Sequence, residues 1–454
     1  MRGMAKFVLA ASAAMLLPMA AGAQTAPAQG WTVRPEWVRA HESFLASDAL
    51  QGRGSATRDE AIAAAYVASQ FESFGLKTAP GMAGYLQPAT IVRATLKGAS
   101  LVSGAINLPQ IAVLVGAAEG TGGKSVVYAG SDPAGLPAGE VVLASGDPDI
   151  MAIYRAAARK DVKLLVLRES ARTQAMVKAM GGQPRMPTFL EGAPKEPRTV
   201  VVVVPAAQFD ALAKKPGADV QVKLDVARET SITTNAIGWL PGTDPKAGVI
   251  LLTAHLDHLG VRPDGVIMHG ANDDASGTTA VLELARALAA GKPLKRGILF
   301  VAYGAEEIGG MGSTWFGLHP PVPLADMVAN IEFEMIGAQD PKLPAGQMMM
   351  TGFERSNLGE TLKNHGALVT ADPYPDQHFF ERSDNYSLAL QGVVAHTISG
   401  WAVIPTYHTP KDDLASLDIA FMTRAIQSLV EPIRSLANSA DRPEWKPGGK
   451  PGSR

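Results

Sequence analysis

Cysteine is absent from the 454-residue sequence. This absence excludes disulfide bonds, thiolate metal ligands and a cysteine nucleophile, so any metal site must use histidine, aspartate and glutamate side chains. An excess of charge of either sign is also lacking, because 41 Lys and Arg nearly balance 43 Asp and Glu and leave a formal net charge of −2. The sequence therefore gives no reason to expect nucleic acid or an anionic membrane as a partner.

Long hydrophobic runs are lacking after the first residues, which read "MRGMAKFVLAASAAMLLPMAAGAQ". Here two basic residues, Arg2 and Lys6, precede an apolar run over residues 7–19 and the small residues "AGA" at 21–23. The run is too short to span a bilayer comfortably, and this order is typical of a secretory signal peptide. We predict that residues 1–23 are removed and that the protein is exported. We favour the periplasm as its compartment, with full secretion as the alternative, and expect no membrane attachment after cleavage.

The remaining chain divides by composition. With 46% apolar residues it can form a full core, and its length allows two domains or one domain with an insertion. A helical spacing of Ala63, Val67, Phe71 and Phe74 lies in the first part, and short Val/Leu/Ile runs between turns follow from about residue 90. We predict an N-terminal part at 31–92, a β-rich insertion at 93–230, a catalytic part at 231–440 and a disordered tail at 441–454.

Apolar strands alternate with a helix after residue 231. The strands read "GVILLTAH" (248–255), "GILFVAYG" (297–304) and "MVANIEFEMIG" (327–337), and the helix reads "ASGTTAVLELARALAAG" (275–291). Continuously apolar strands that alternate with helices predict an α/β fold with a mixed, mostly parallel sheet covered on both faces. Ligands of such sheets bind beyond the carboxyl ends of the strands.

Polar segments follow these strands. They are "HLDHLG" (255–260), "HGANDDASG" (269–277), Glu306 and Glu307, "FEMIG" (333–337) and, late in the chain, "TYHTPKDD" (406–413). Histidines and carboxylates that meet at one edge of a sheet indicate a metal site that suits zinc, with manganese or cobalt as substitutes. One bridging carboxylate can hold two ions about 3.5–4 Å apart, and a further carboxylate can then act as a general base.

These motifs, in this order, resemble the co-catalytic zinc metallopeptidases related to bacterial leucyl aminopeptidase, aminopeptidase Y and glutamate carboxypeptidase. The resemblance covers about 40–90, including "FLASDALQGR" at 44–53, and 231–438. It implies a three-layer α/β/α sandwich and a site for two zinc ions. The insertion resembles the protease-associated domain that such enzymes often carry.

The resemblance implies a role for each matching residue. His255, Asp273 and Glu334 would bind the first zinc, and Asp273, Glu307 and His408 the second, with Asp273 as the bridge. Many family members have aspartate where Glu334 stands, and Glu332 on the same strand face is the competing candidate.

Three further residues would take part in catalysis. The resemblance implies that Glu306 is the general base and that Asp257 orients the imidazole of His255 without binding metal. Tyr407 would donate a hydrogen bond to the substrate carbonyl or to the oxyanion. We expect His258 and His269 to be packing and loop residues.

We predict an exported zinc exopeptidase that acts on peptides, and we favour an aminopeptidase. A carboxypeptidase or other amidohydrolase on the same metal site is the nearest alternative. A glutaminyl cyclase-like transferase uses one zinc, whereas His255, Glu306, Glu307 and His408 together favour two. A non-catalytic binding protein of this fold would be expected to have lost ligands, and none is lost here.

Overall fold

The computed structural model describes residues 32–194 and 198–452, so the predicted signal peptide lies outside the described residues. The helices are α1 (Pro35–Leu45), α2 (Arg58–Ser73), α3 (Ile150–Arg159), α4 (Ala171–Ala179), α5 (Ala206–Ala213), α6 (Ser276–Ala289), α7 (Met311–Leu318), α8 (Leu358–Asn364), α9 (Asn385–Leu390) and α10 (Ile419–Asn438). Within the described ranges, no helix combines the length and the apolarity that are needed to cross a membrane.

Strands before residue 245 are β1 (Leu86–Ser103), β2 (Ile106–Leu108), β3 (Ala112–Val115), β4 (Thr121–Tyr128), β5 (Val141–Ala144), β6 (Leu164–Arg168), β7 (Thr188–Leu190), β8 (Val200–Val204) and β9 (Asp219–Leu240). Later strands are β10 (Val249–His255), β11 (Gly260–Val261), β12 (Ile267–Met268), β13 (Gly297–Tyr303), β14 (Met327–Glu334), β15 (Met348–Met350), β16 (Val369–Ala371) and β17 (Ala395–Ser399).

The central sheet has the order β16–β15–β17–β14–β10–β13–β9, and β1 pairs with the outer side of β9. Its four middle strands, β17, β14, β10 and β13, run parallel to one another. β15 pairs antiparallel with β17, and β9 pairs antiparallel with β13. All seven residues of β10 are buried, as expected for a strand covered on both faces. The mixed, mostly parallel sheet predicted from the apolar runs is confirmed.

Alternate residues of β10 enter two separate cores. Ile250 and Leu252 pack in a core that also contains residues of α1, α2, α6 and α10. Val249 and Leu251 pack in a second core with residues of α7 and α9. Because successive side chains of a strand point to opposite faces, helices cover both sides of the sheet and form a three-layer sandwich.

The insertion is carried by two long strands. β1 and β9 pair antiparallel from Leu86 and Ala236 to Val102 and Gln221, and so extend out of the central sheet. Beyond them, β4, β5, β6, β8 and β3 continue the sheet, and the alternate faces of these strands enter two further cores. The β-rich region expected at 93–230 therefore has its own apolar packing. Its assignment as a protease-associated domain stays a prediction.

The C-terminal residues differ from the disordered tail expected at 441–454. The indole nitrogen of Trp445 donates to the Gly392 carbonyl at 3.1 Å, and its ring lies 5.3 Å from that of His396. The Lys446 amide donates to the Arg355 carbonyl at 2.9 Å. The packing of Trp445 and these hydrogen bonds hold this segment against the fold, even though proline, glycine and lysine dominate its composition.

We expect the buried carboxyl group of Glu42, in α1, to make the stability of the fold depend on pH. Burial raises its pKa to about 8, although the Thr279 hydroxyl and the Arg53 guanidinium act in the opposite direction. Between about pH 4.5 and 8 the folded chain therefore holds a proton that the unfolded chain has lost, so raising the pH destabilises the fold, by at most about 1.4 kcal/mol per unit. Glu42→Gln removes this loss and should become more stable relative to the wild type as the pH rises.

Denaturant unfolding of both proteins at pH 5.5 and at pH 8 measures this difference. Glu36→Gln is the matched control, because Glu36 lies on the same helix with an exposed side chain. A stability difference between Glu42→Gln and the wild type that is equal at the two pH values would contradict the prediction.

Candidate metal centre

His255 ends strand β10, and a short loop carries Asp257 and His258 behind it. All three side chains are fully buried. The loop is held by Arg53, whose guanidinium donates from Nε to the Leu256 carbonyl at 2.8 Å. A strand end fixes the direction of His255, while the loop is free to turn the two following side chains toward the same edge of the sheet.

Asp273 lies in the turn that precedes α6. The carboxylate of Asp412 accepts hydrogen bonds from the amides of Asn272 at 2.8 Å and Asp273 at 3.1 Å. Gly270, with φ 59°, permits the turn, because a Cβ there would lie 2.2 Å from the Asp273 carbonyl oxygen and 2.4 Å from the His258 ring. Gly270, the first residue of "GANDDASG", is therefore needed for Asp273 and His258 to lie close together.

Residues 305–311, which we call the glutamate loop, follow strand β13. The carboxylate of Asp257 accepts the amide of Glu306 at 3.0 Å and that of Glu307 at 3.3 Å, and the hydroxyl of Ser55 donates to it at 2.5 Å. Its distance from His255 Nδ1 is 3.7 Å, too long for a hydrogen bond. Asp257 therefore anchors the glutamate loop, and its expected role in orienting the imidazole of His255 stays a prediction.

Glu334 ends strand β14, next to β10 in the sheet, and His408 comes from the loop after β17. The Tyr407 ring stacks on the His408 imidazole, with centroids 3.9 Å apart. Tyr407 is 36% exposed, so its hydroxyl is placed where a substrate can reach it.

Two groups of candidate ligands form where these segments meet. His255, Asp273 and Glu334 form one group, and His258, Asp273, Glu307 and His408 form the other, with ligand atoms in each group within 4.8 Å of one another. Asp273 belongs to both groups. The structure thus brings together all five residues expected to bind metal, with the expected bridging residue between the two groups.

Zinc fits these groups by two observations. His255 Nε2, Asp273 Oδ2, Glu307 Oε1 and His408 Nε2 are buried and have no hydrogen-bond partner, which is costly unless a cation contacts them. His408 Nε2 lies 3.2 Å from Asp273 Oδ2 and 3.3 Å from Glu307 Oε2, and His255 Nε2 lies 3.3 Å from Asp273 Oδ1. Atoms that share a tetrahedral ion at about 2.0–2.1 Å are about 3.3–3.4 Å apart.

The two adjacent glutamates have opposite environments. Burial raises the pKa of Glu307, but the imidazoles of His258 and His408 outweigh it and leave the pKa below its usual value. Burial raises the pKa of Glu306 well above its usual value, because the His255 imidazole only partly offsets it and Asp384 adds to it. A pair of carboxylates with pKa values shifted in opposite directions is typical of one anionic ligand beside one proton-transferring group.

His258 is the residue that the sequence interpretation missed. Its Nδ1 lies 2.8 Å from Glu307 Oε1 and 3.7 Å from Asp273 Oδ2, so it is a candidate fourth ligand of the second group. The only signal was its place three residues after His255. By contrast, Glu332 accepts a hydrogen bond from the Ser383 hydroxyl at 3.0 Å and belongs to neither group, and His269 contacts Asp48.

The model of peptidase family M28 matches residues 235–431. This part of the chain is therefore similar to peptidase family M28. It contains all of the candidate metal ligands, and the earlier resemblance to the zinc peptidases is thereby confirmed.

Curated relatives match over parts of their length. An aminopeptidase of Pseudomonas aeruginosa is 32% identical over 28% of this chain and 23% of its own. Leupeptin-inactivating enzyme 1 of Streptomyces exfoliatus is 29% identical over 46% of this chain and 52% of its own. Aminopeptidase YwaD of Bacillus subtilis is 37% identical over 20% of this chain and 18% of its own. The chain spans about half or less of the length of these relatives.

Solved structures show that the fold extends beyond residues 235–431. The aminopeptidase from Aneurinibacillus sp. strain AM-1 superimposes with a TM-score of 0.54 at 20% identity, over 90% of this chain and 95% of its own. A zinc aminopeptidase from Bacillus subtilis gives a TM-score of 0.53 at 19% identity, over 91% and 98%. At these identities the likeness supports the fold alone.

We expect the contacts of Arg53 to determine how tightly the site binds zinc. Its fully buried guanidinium also donates to the carbonyls of Leu45 at 2.5 Å, His269 at 2.7 Å and Gly270 at 2.8 Å. It therefore joins the loop of His258 to the turn of Asp273. Arg53→Lys keeps the charge but cannot reach all of these carbonyls, so zinc affinity should fall about 10–100-fold.

Zinc affinity is measured by competition with a chromophoric chelator, without an activity assay. Arg58→Lys is the control, because Arg58 is exposed and is the first residue of α2, close to Arg53 in the sequence. Far-UV circular dichroism and thermal unfolding check that Arg53→Lys folds. Unchanged zinc affinity in a folded Arg53→Lys protein would refute the positioning role.

Proposed function

We propose that the protein is an exported, zinc-dependent aminopeptidase that uses two zinc ions and Glu306 as general base. This proposal depends on one observation: Asp273 belongs to both groups of candidate ligands, and Glu306, whose pKa is raised, lies beside them. The family match and the aminopeptidases among the relatives support the hydrolysis of peptides from the amino end.

Each side chain has a task in this mechanism. Zinc, when bound, supplies Lewis acidity that polarises a peptide carbonyl and makes water more acidic. Glu306 takes the proton of the attacking water and passes it to the leaving amine, and its raised pKa brings it closer to the pH at which such transfers are efficient. Burial and the nearby carboxylates raise the pKa of Tyr407, so its hydroxyl keeps the proton that it donates to the carbonyl oxygen.

Buried carboxylates favour a free amine as the recognised end of the substrate. Asp384 and Glu332 are buried close to Glu306 and Glu334, as the electrostatic effects among these four groups indicate. An α-ammonium group is attracted to such a region. A carboxypeptidase would need a cluster of cations, and among the residues that line the adjoining cavity only Arg382 is a cation.

The experiment is hydrolysis of a panel of aminoacyl p-nitroanilides by protein without residues 1–23. The protein is assayed as isolated, after chelation and after zinc is restored. We expect cleavage that disappears with chelation and returns with about two zinc ions per chain. No cleavage of any free-amine substrate by protein that binds two zinc ions would refute the aminopeptidase proposal, and cleavage of N-blocked peptides at the carboxyl end would favour a carboxypeptidase.

Glu306→Gln tests the general base. The amide keeps the size of the side chain but cannot accept the proton, so kcat should fall about 10²–10⁴-fold. Zinc content, measured by atomic absorption, should be unchanged, because Glu306 belongs to neither ligand group. Glu307→Gln is the matched comparison and should lose zinc. A Glu306→Gln protein that keeps more than half of the wild-type kcat would exclude Glu306 as the base.

The insertion packs beside the metal centre, where it can restrict the length of the peptides that are cleaved. Leu190 of β7 and Ile91 of β1 pack in one apolar cluster with Ala305, Ile308 and Met311 of the glutamate loop. We expect the insertion to limit the space beside the site, so that short peptides are cleaved faster than long ones.

Removal of residues 104–218 tests this restriction, with Ser103 and Asp219 joined by an Asn-Gly turn. These two residues are adjacent, since the Ser103 hydroxyl donates to the Asp219 carbonyl at 2.7 Å. The ratio of rates for dipeptide and decapeptide substrates should fall toward one, and this ratio is insensitive to a general loss of activity. An unchanged ratio would contradict the role of the insertion.

A further inference from the structure

A cavity adjoins the metal centre on the side of Glu334 and Tyr407. Its wall away from the candidate ligands is formed by Met349, Thr351, Phe379, Arg382, Thr397 and Ser399. Because it opens directly beside a candidate metal ligand and the hydroxyl of Tyr407, the cavity is where a substrate group close to the cleaved bond would lie.

Arg382 brings a positive charge to this cavity. Its guanidinium carbon lies 5.0 Å from the centre of the Phe379 ring, an arrangement that holds the plane of the side chain without using its donors. No ion pair of Arg382 with a carboxylate occurs within the described ranges. Arg382 and Tyr407 line the same cavity.

The floor of the cavity is polar as well. The Thr397 hydroxyl donates to Asn385 Oδ1 at 2.9 Å, and the Thr351 hydroxyl accepts the Thr397 amide at 3.3 Å. These two threonines and Ser399 are each almost fully buried. Besides the apolar Met335, Met349, Phe379 and Ala402, the lining therefore contains three hydroxyl residues and a guanidinium, which can bind a polar substrate group.

A substrate carboxylate complements this lining. Glu334 lines the same cavity, so an anionic substrate group would be repelled unless a cation faced it. Arg382 is the cation placed to do this, and its planar fork of donors matches a carboxylate in bidentate geometry. An uncharged substrate group would leave these donors with water alone.

We infer that Arg382 determines specificity by binding a carboxylate of the substrate in this cavity. The carboxylate can belong to the side chain of an N-terminal Asp or Glu, or to the C-terminus of a very short peptide, and both present the same chemistry to the guanidinium. This inference rests on the proposed function, and it adds the class of substrate.

Two pairs of substrates distinguish the sources. Glutamyl and glutaminyl p-nitroanilide differ only in the charge of the side chain, and Ala-Ala and Ala-Ala-amide differ in the C-terminal charge. The wild type should prefer the charged member of one pair by kcat/KM. Arg382→Gln should lower kcat/KM for that member about tenfold or more, and change hydrolysis of leucyl p-nitroanilide less than about twofold.

Two variants serve as controls. Arg382→Lys keeps the charge without the fork and should lie between the wild type and Arg382→Gln. Arg424→Gln removes an exposed arginine from α10 and should leave both preferences unchanged. If Arg382→Gln leaves both ratios at the wild-type value, or if the wild type prefers the uncharged member of both pairs, the inference is wrong.

A binding measurement separates this inference from the proposed function. Calorimetry measures the affinity of free L-glutamate, L-glutamine, L-alanine and L-alaninamide for the zinc-loaded wild type and for Arg382→Gln. Tighter binding of L-glutamate than of L-glutamine, or of L-alanine than of L-alaninamide, that disappears in Arg382→Gln supports the carboxylate site even if no p-nitroanilide is cleaved. Equal affinities in the two proteins refute it, whatever the activity assays show.

Discussion

A concentration of buried carboxylates at one edge of the sheet is the constraint on which the rest of the structure depends. Within the described ranges they include Asp257, Asp273, Asp274, Glu306, Glu307, Glu332, Glu334, Asp384 and Asp412. Burial raises the pKa of Asp384 to about 7 and that of Glu306 far above its usual value, which shows how unfavourable this much negative charge is without compensation. The two zinc ions of the proposed function would supply that compensation, so metal binding is expected to stabilise this edge of the sheet.

Hydrogen bonds from buried side chains to backbone amides and carbonyls hold the loops of the site in place. Asp257 holds the glutamate loop through two amides, Asp412 holds the turn of Asp273 through two more, and Arg53 joins carbonyls from three segments. Except for the contact of Arg53 with Leu45, each contact links residues that are far apart in sequence. The carboxylates that bind no metal thus determine where the ligands stand, and their replacement should act through metal affinity more than through chemistry.

Prediction from sequence worked where a pattern is local. The strands at 249–255 and 297–303 and the helix at 276–289 follow from continuous apolar runs and helical spacing, and the order of motifs identified the residues around Asp273. The position of His258 beside Glu307 could not be predicted, because the direction of a loop side chain depends on Gly270 and Arg53 rather than on spacing. For the same reason the sequence did not reveal the hydrogen bonds of Asp257, and average composition concealed the packing of Trp445.

The placement of the insertion connects substrate access to the catalytic loop. Its strands β1 and β7 pack on Ala305 and Ile308, directly beside the amides of Glu306 and Glu307 that Asp257 holds from the other side. A displacement of this apolar cluster would move the backbone that carries the general base, and a shift of about 1 Å at such a position can cost about 100-fold in rate. Glu306, the proposed general base, therefore lies on a loop whose backbone position depends in part on packing against the insertion.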